Sequence, residues 1–210
     1  MPSSDTLAEN VAAALRHAIL GGAYLCGERL VELTLADEMN VSQNTVRDAL
    51  RLLEQDGLVA KQARRGTYVR DFTPDETLEV YLLWAAVESL ALQWALEHMT
   101  PAHMASLRPL FDQFRDYPNP ENRFRIHAAL VGIAAKPRTA ELLRPLHYQA
   151  RLLQNPQPPL PAAQQIPVYD ALLAALRAGD APRAQHILRQ YLQAEGQALA
   201  AQRQRQPQYA

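Results

Sequence analysis

Gln43, Asn44, Arg47 and Arg51 are spaced so that one helix would carry all four on a single outward face. Val46, Ala49, Leu50 and Leu53 recur at i, i+3, i+4 and i+7, which gives the same helix an apolar stripe on its opposite side. In the DNA major groove an exposed Arg pairs with guanine, and Gln or Asn pairs with adenine. Further along, Lys61, Arg64, Arg65 and Arg70 follow one another with no acid before Asp71, a run suited to holding phosphates. Base reading by a polar helix beside a basic anchor is one chemistry these residues offer. An amphipathic helix with a solvated face and a basic loop is the other.

Catalytic chemistry finds no comparable set. The sequence has no Gly-rich phosphate loop, no G-x-S-x-G and no H-E-x-x-H. Cys26, its one cysteine, has no base beside it and reads as a small packed hydrophobe. His98 and His103 flank Thr100-Pro101 at a helix junction and read as surface residues. His17 faces outward, and His147 and His186 have no partner at i+3 or i+4, so no local metal pair forms. No catalytic residue is assigned and no enzyme is expected.

The elements that position these residues are legible from periodicity and caps. Ser3, Ser4 and Asp5 are cap candidates for a helix through Leu7, Val11, Leu15 and Ile19, stopped by Gly21-Gly22. A short helix fits Val31 to Met39 and is closed by Asn40. Ser42 caps the helix that carries Gln43 to Gln55. From Leu58 to Val69 the pattern changes to two short strands around a turn at Gly66. Thr73-Pro74-Asp75-Glu76 forms a capping box that opens a helix to about Met99. Further helices are predicted from Thr100-Pro101 to Arg115, then over Glu121–Ala135, Thr139–Leu153, Ala162–Arg177 and Pro182–Ala201. The prolines are expected between the helices, and Asn155 to Pro161 reads as an irregular connector. The fold class is mainly α. Residues 1–72 form a winged helix-turn-helix of three helices plus a β-hairpin, residues 73–201 an all-α antiparallel bundle, and residues 202–210 a flexible tail.

Charge at first argues against a nucleic-acid partner. Lys and Arg total 21 against 22 Asp and Glu, a net charge of −1, which excludes a diffusely basic coat protein. Residues 1–72 hold eight basic against ten acidic residues, yet six of those eight are Arg47, Arg51, Lys61, Arg64, Arg65 and Arg70. A small patch of this kind implies weak non-specific binding and more dependence on base contacts. No apolar run approaches a membrane span and the first residues lack a secretory signal, so a cytoplasmic protein with no membrane partner is expected.

Gly27-Glu28-Arg29-Leu30, Val41-Ser42, Thr45 to Leu50, Leu53, Gly57-Leu58-Val59 and Gly66 to Val69 together resemble the winged helix of GntR-family bacterial transcription regulators. The resemblance implies a homodimer that reads a short pseudo-palindromic double-stranded DNA operator, probed at its minor groove by the wing tip. The family's DNA contacts fall on Ser42, Thr45, Arg47 and Gly66. With Gln43, Asn44, Arg51, Arg64, Arg65 and Thr67 they make up the predicted DNA-binding set. Leu33 and Gln43 stand where the family often has arginine, and Cys26 where it has proline, so the operator is expected to differ.

Leu82 to Leu92 with Glu88, Phe124 to Leu130 around His127, and Ala171 to Ala184 resemble the FCD effector domain of the family's FadR-type branch. The resemblance implies a small-molecule effector, such as an organic acid. Most such domains hold a divalent metal on one Asp and three His. Those positions are Arg123, His127, Tyr169 and Tyr191 here, and neither a neutral phenol nor a guanidinium suits a cation. The expected cofactor is therefore none. Trp84 takes the place of the family's pocket arginine. Trp84, Arg123, His127, Tyr169 and Tyr191 either form an effector pocket or fill the space of the metal with hydrogen-bonded side chains. A body that only dimerises and, far behind, a helical enzyme with a DNA-binding head are the other readings.

Overall fold

Why the first 70 residues fold around one polar helix follows from their apolar periodicity. The computed structural model describes residues 6–155 and 160–205, so the cap candidates Ser3, Ser4 and Asp5 and part of the 155–161 connector lie outside the described residues. The chain divides into two units, Met1–Phe72 with Tyr148–Pro156, and Thr73–His147 with Gln157–Ala210.

The first unit runs α1 (Leu7–Leu20), β1 (Arg29–Leu30), α2 (Glu32–Met39), α3 (Gln43–Gln55), β2 (Val59–Gln62) and β3 (Gly66–Val69). Thr6 caps α1 in a reciprocal pair with Glu9. Asn40 closes α2 in the left-handed conformation at φ 52°. Val11, Leu15 and Ile19 of α1 are buried, as are Val46, Ala49, Leu50 and Leu53 of α3, and the two helices pack together. Arg16 locks the ends by an ion pair of 2.5 Å to the buried carboxylate of Asp56. The expected two-stranded hairpin is a three-stranded antiparallel sheet in the order β1-β3-β2, with Arg29 opposite Tyr68 and Leu30 opposite Thr67. A strand of two residues is too short to show alternation, so it leaves no periodic trace in the sequence.

The second unit is helical: α4 (Pro74–Glu97), α5 (Pro101–Asp116), α6 (Pro120–Ala134), most of α7 (Pro137–Leu153), α8 (Ala162–Arg177) and α9 (Ala181–Arg205). Prolines at the first helical position open α4, α5 and α6 behind Thr73, Thr100 and Asn119, each of which accepts a backbone N–H. Contrary to the sequence expectation, Pro109, Pro145 and Pro167 sit inside α5, α7 and α8. Each removes one helical hydrogen bond, a loss of about 3 kcal/mol in an isolated helix that burial of the flanking apolar face offsets. The last helix also runs to Arg205, past the predicted end at Ala201. It packs closely on α4 because position 196 is glycine: a Cβ there would lie 2.6 Å from Cβ of Tyr81. That close approach brings the polar residues of α9 into the core.

Candidate functional site

Two clusters of polar side chains stand out, one in each unit. The first is the N-terminal face of α3. Ser42 Oγ accepts the backbone N–H of Thr45 at 3.1 Å and lies 2.8 Å from its hydroxyl, which fixes the first turn. Ser42, Gln43, Asn44 and Arg51 are exposed, and Thr45 and Arg47 are half-buried. Arg47 is not idle: Nη2 donates to Glu32 Oε2 of α2 at 2.7 Å, and Nη1 to Asn44 Oδ1 at 3.3 Å. The Glu32 partnership was not foreseen. Arg51 pairs with Asp48 at 2.8 Å, within the helix.

Between β2 and β3, Lys61, Arg64 and Arg65 are exposed at the wing tip. Arg64 is left-handed at φ 61° and Gly66 has φ 104°, a conformation that an L side chain rarely adopts. Arg29 of β1 reaches the same tip, since a Cβ on Gly66 would sit 3.4 Å from its Nε. Sequence reasoning missed Arg29, because a two-residue strand gives no period that would place it beside the wing. Thr67, expected to bind DNA, is not among these exposed residues. It is 8% exposed and pairs with Leu30 and Lys61 in the middle of the sheet.

The second cluster lies in the helical unit and brings together all five residues expected there. Trp84, Arg123, His127, Tyr169 and Tyr191 come from α4, α6, α8 and α9, and none exceeds 5% exposure. Glu88 organises one half. Its carboxylate takes His127 Nδ1 at 2.6 Å on one oxygen, and His147 Nε2 at 3.2 Å and the Trp84 indole N–H on the other. His127 Nε2 lies 2.7 Å from the Tyr169 hydroxyl. Burial opposes charge on Glu88, but the attraction and hydrogen bonds of His127 and His147 more than offset it and hold the carboxyl below its usual range. Burial also lowers His127, and it pushes Tyr169 well up. Above the range in which His127 takes up a proton these directions fit one pattern, an ionised Glu88, a neutral His127 donating from Nδ1, and a Tyr169 hydroxyl donating to Nε2; below it, a charged His127 adds the attraction that keeps Glu88 ionised. His147, which local spacing gave no role, thus belongs to the cluster. It comes from α7, so no i+3 or i+4 partner could reveal it.

Arg123 organises the other half. Its Nη1 donates to Glu195 Oε1 at 2.5 Å, to the Tyr191 hydroxyl oxygen at 2.5 Å and to Gln165 Oε1 at 3.2 Å. The Tyr191 hydroxyl donates in turn to Glu195 Oε1 at 3.1 Å. Burial disfavours the charged guanidinium, yet Glu195 holds its pKa well above the ordinary value. Arg123 and Glu195 are 1% and 0% exposed, a fully desolvated ion pair. Glu195 and Gln165 were missed, although Glu195 follows Tyr191 by one helical turn on a face that is otherwise apolar.

The metal expected of an FCD domain does not suit these residues. Arg123 fills its position with a buried cation, the two phenols are pushed toward the protonated form, and both ring nitrogens of His127 are engaged. Among the described residues no group of three or more His, Cys, Asp or Glu is placed to hold a metal ion. Of the other histidines, His17, His98 and His186 are exposed and His103 is half-buried beside the α4–α5 junction. Cys26, expected to be packed, is half-exposed.

Comparison with known proteins finds a match for each of the two parts of the chain. The model of the bacterial regulatory proteins of the gntR family matches residues 7–69, and the FCD domain model matches residues 79–194. The uncharacterized HTH-type transcriptional regulator YdhC of Bacillus subtilis is 29% identical over 99 residues, 47% of this chain and 44% of that protein, so the chain spans less than half of that relative. The HTH-type transcriptional regulator McbR of Escherichia coli is 26% identical over 197 residues, covering 85% of this chain and 86% of McbR. A crystal structure of a GntR-type regulator from Rhodococcus sp. RHA1 superposes with a TM-score of 0.77 at 28% identity, over 92% of this chain and 98% of the other. Residues 7–69 and 79–194 thus carry the two parts of one known architecture, and the chain belongs to the gntR family of bacterial regulatory proteins, helix-turn-helix transcription regulators, with an FCD domain as its larger part.

Proposed function

We propose that the protein is a ligand-responsive transcription regulator that binds a short pseudo-palindromic operator as a homodimer, acts as a repressor in the cytoplasm, and is controlled by a small metabolite held in its helical unit. The observation that carries the DNA reading is the first turn of α3, where Ser42, Gln43, Asn44 and Arg47 present donors and acceptors on one capped helix end. The wing residues Arg29, Lys61, Arg64 and Arg65 supply phosphate contacts beside it. Replacing Arg47 with Ala tests this at fixed salt: sequence-specific affinity falls by roughly ten- to a hundredfold while non-specific affinity changes little. Unchanged operator affinity would sink the assignment.

Support for the dimer comes from α4. Leu82, Leu83 and Leu90 are 43%, 48% and 50% exposed, and Leu78, Leu82 and Leu83 line an open groove with Asp75 and Glu79. A contiguous apolar stripe on one long helix suits a self-complementary two-fold interface. The effector reading rests on the buried polar cluster around Arg123 and His127, and the reading includes no bound metal and no catalytic turnover. A ligand there shifts the DNA-binding equilibrium only by its differential affinity for the two states. Release of operator by a compound that also raises the melting temperature supports it. A body that dimerises and binds nothing would show neither effect.

A further inference from the structure

Each cation on α3 is paired with an acid, whereas those of the wing are not. Arg47 is bound to Glu32 and Arg51 to Asp48. Arg29, Lys61, Arg64 and Arg65 are exposed, and none of them enters an ion pair among the described residues. The Arg51 pair is open to water on both sides, and pairs of that kind hold their partners weakly. The Arg47 pair is better enclosed and better joined. Glu32 Oε2 accepts from Nη2 at 2.7 Å and from Nε at 3.2 Å, so the carboxylate grips the guanidinium along one edge. Asn44 Oδ1 accepts from Nη1 at 3.3 Å. Three of the five guanidinium N–H donors are used in this way, and one on each terminal nitrogen is left, on a side chain that is 43% exposed.

That arrangement separates two kinds of DNA contact. A phosphate is an anion, and at Arg47 it meets a positive charge already balanced by a carboxylate 2.7 Å away. The O6 and N7 acceptors of guanine carry no net charge, so hydrogen bonds to them from the two remaining N–H groups survive the balance. Non-specific duplex, held through its phosphates, is the competitor that a reader of sequence must reject. An acid beside the reading arginine is a repulsive element against that competitor.

We propose that Glu32 is a specificity-determining residue: it positions Arg47 for the O6/N7 edge of a guanine and turns it away from phosphate, which is left to the wing. The inference rests on the reading of α3 as the recognition helix. It adds the base that Arg47 reads and the acid that makes Arg47 a base reader. Glu32 acts through Arg47 as a positioning residue.

The test uses the full chain, a duplex that it selects from a random pool, and a scrambled duplex of the same length. Each is titrated by fluorescence anisotropy at several salt concentrations. The position whose preference disappears in Arg47→Ala is a G·C pair, and 7-deazaguanine in place of that guanine weakens wild-type binding by roughly tenfold. Glu32→Gln keeps the size of the side chain and gives up its charge. It strengthens binding to the scrambled duplex several-fold, steepens the salt slope there by about 1, and lowers the ratio of selected to scrambled affinity by roughly tenfold. In that variant 7-deazaguanine costs less than about threefold. Loss of a repelling charge alone would raise both affinities equally, so an unchanged ratio overturns the inference. An Arg47-dependent position that is an A·T pair, or a wild-type chain indifferent to 7-deazaguanine, overturns it as well, and these two results decide alone if Glu32→Gln does not fold. In all of these cases the recognition-helix reading stands. Selection of the wild-type motif by Arg47→Ala overturns both.

Discussion

Replacing Arg123 with Met removes the cation that pairs with Glu195 in the helical unit's core. The pair lies at 2.5 Å, and the side chains are 1% and 0% exposed. After the substitution Glu195 keeps, among the described residues, the Tyr191 hydroxyl at 3.1 Å as its donor. Leaving one member of a buried pair without its partner costs about 3–5 kcal/mol. At roughly 2–4 °C per kcal/mol for a domain of this size, the melting temperature falls by about 6–20 °C. The double replacement Arg123→Met with Glu195→Leu removes the uncompensated charge and recovers most of that loss, to within about 2 kcal/mol of the wild type. Both tryptophans, Trp84 and Trp94, lie on α4, so their fluorescence during urea unfolding reports on the helical unit. A loss below about 1 kcal/mol in the single variant refutes the claim that this pair is desolvated in solution. A double variant as unstable as the single one does so equally.

Other expectations follow from the same contacts. His127 has a folded pKa below its usual 6.5, and Glu88 one below its usual 4.5. The unfolded chain therefore binds more protons at each site over these ranges. Stability falls as pH drops through about 6.5 and again through about 4.5, by up to ~1.4 kcal/mol per pH unit for each group. Melting curves from pH 8 to 4 check this, and a curve flat from pH 7 to 4 contradicts it. Glu32→Gln frees Arg47 for phosphates, so affinity for non-specific duplex rises several-fold and the plot of log K against log salt steepens by about 1. An unchanged slope in a fluorescence-anisotropy titration shows that the freed Arg47 makes no phosphate contact. Leu82→Glu with Leu90→Glu on the exposed stripe of α4 converts a particle of twice 23.5 kDa to one of 23.5 kDa by light scattering. A variant that keeps the wild-type mass moves the dimer interface elsewhere.

Local signals in the sequence reached as far as local physics does. Ser42, Thr73 and Thr100 act within one helical turn, so their caps and the helices they open were legible from residue order. The two residues of β1 offered no period, and the strand exists because Arg29 and Leu30 lie against Tyr68 and Thr67. Prolines are expected between helices, yet Pro109, Pro145 and Pro167 lie within helices that the apolar periodicity places across them, where tertiary burial offsets the lost hydrogen bonds. The buried cluster was visible only in part, and for the same reason. Arg123 and His127 share one helix face, whereas His147, Gln165 and Glu195 join them from three other helices. The two buried acids of the cluster do leave a trace. Glu88 follows Trp84, and Glu195 follows Tyr191, by four residues on apolar faces, where an acid needs a buried partner.

Whether the first turn of α3 reads DNA sequence is decided by selecting bound duplexes from a random pool. The wild-type chain is expected to enrich a two-fold symmetric motif of two short half-sites, and Arg47→Ala to lose the enrichment at one or two positions in each half. Failure to enrich any motif, or enrichment of the same motif by wild type and Arg47→Ala, would contradict it.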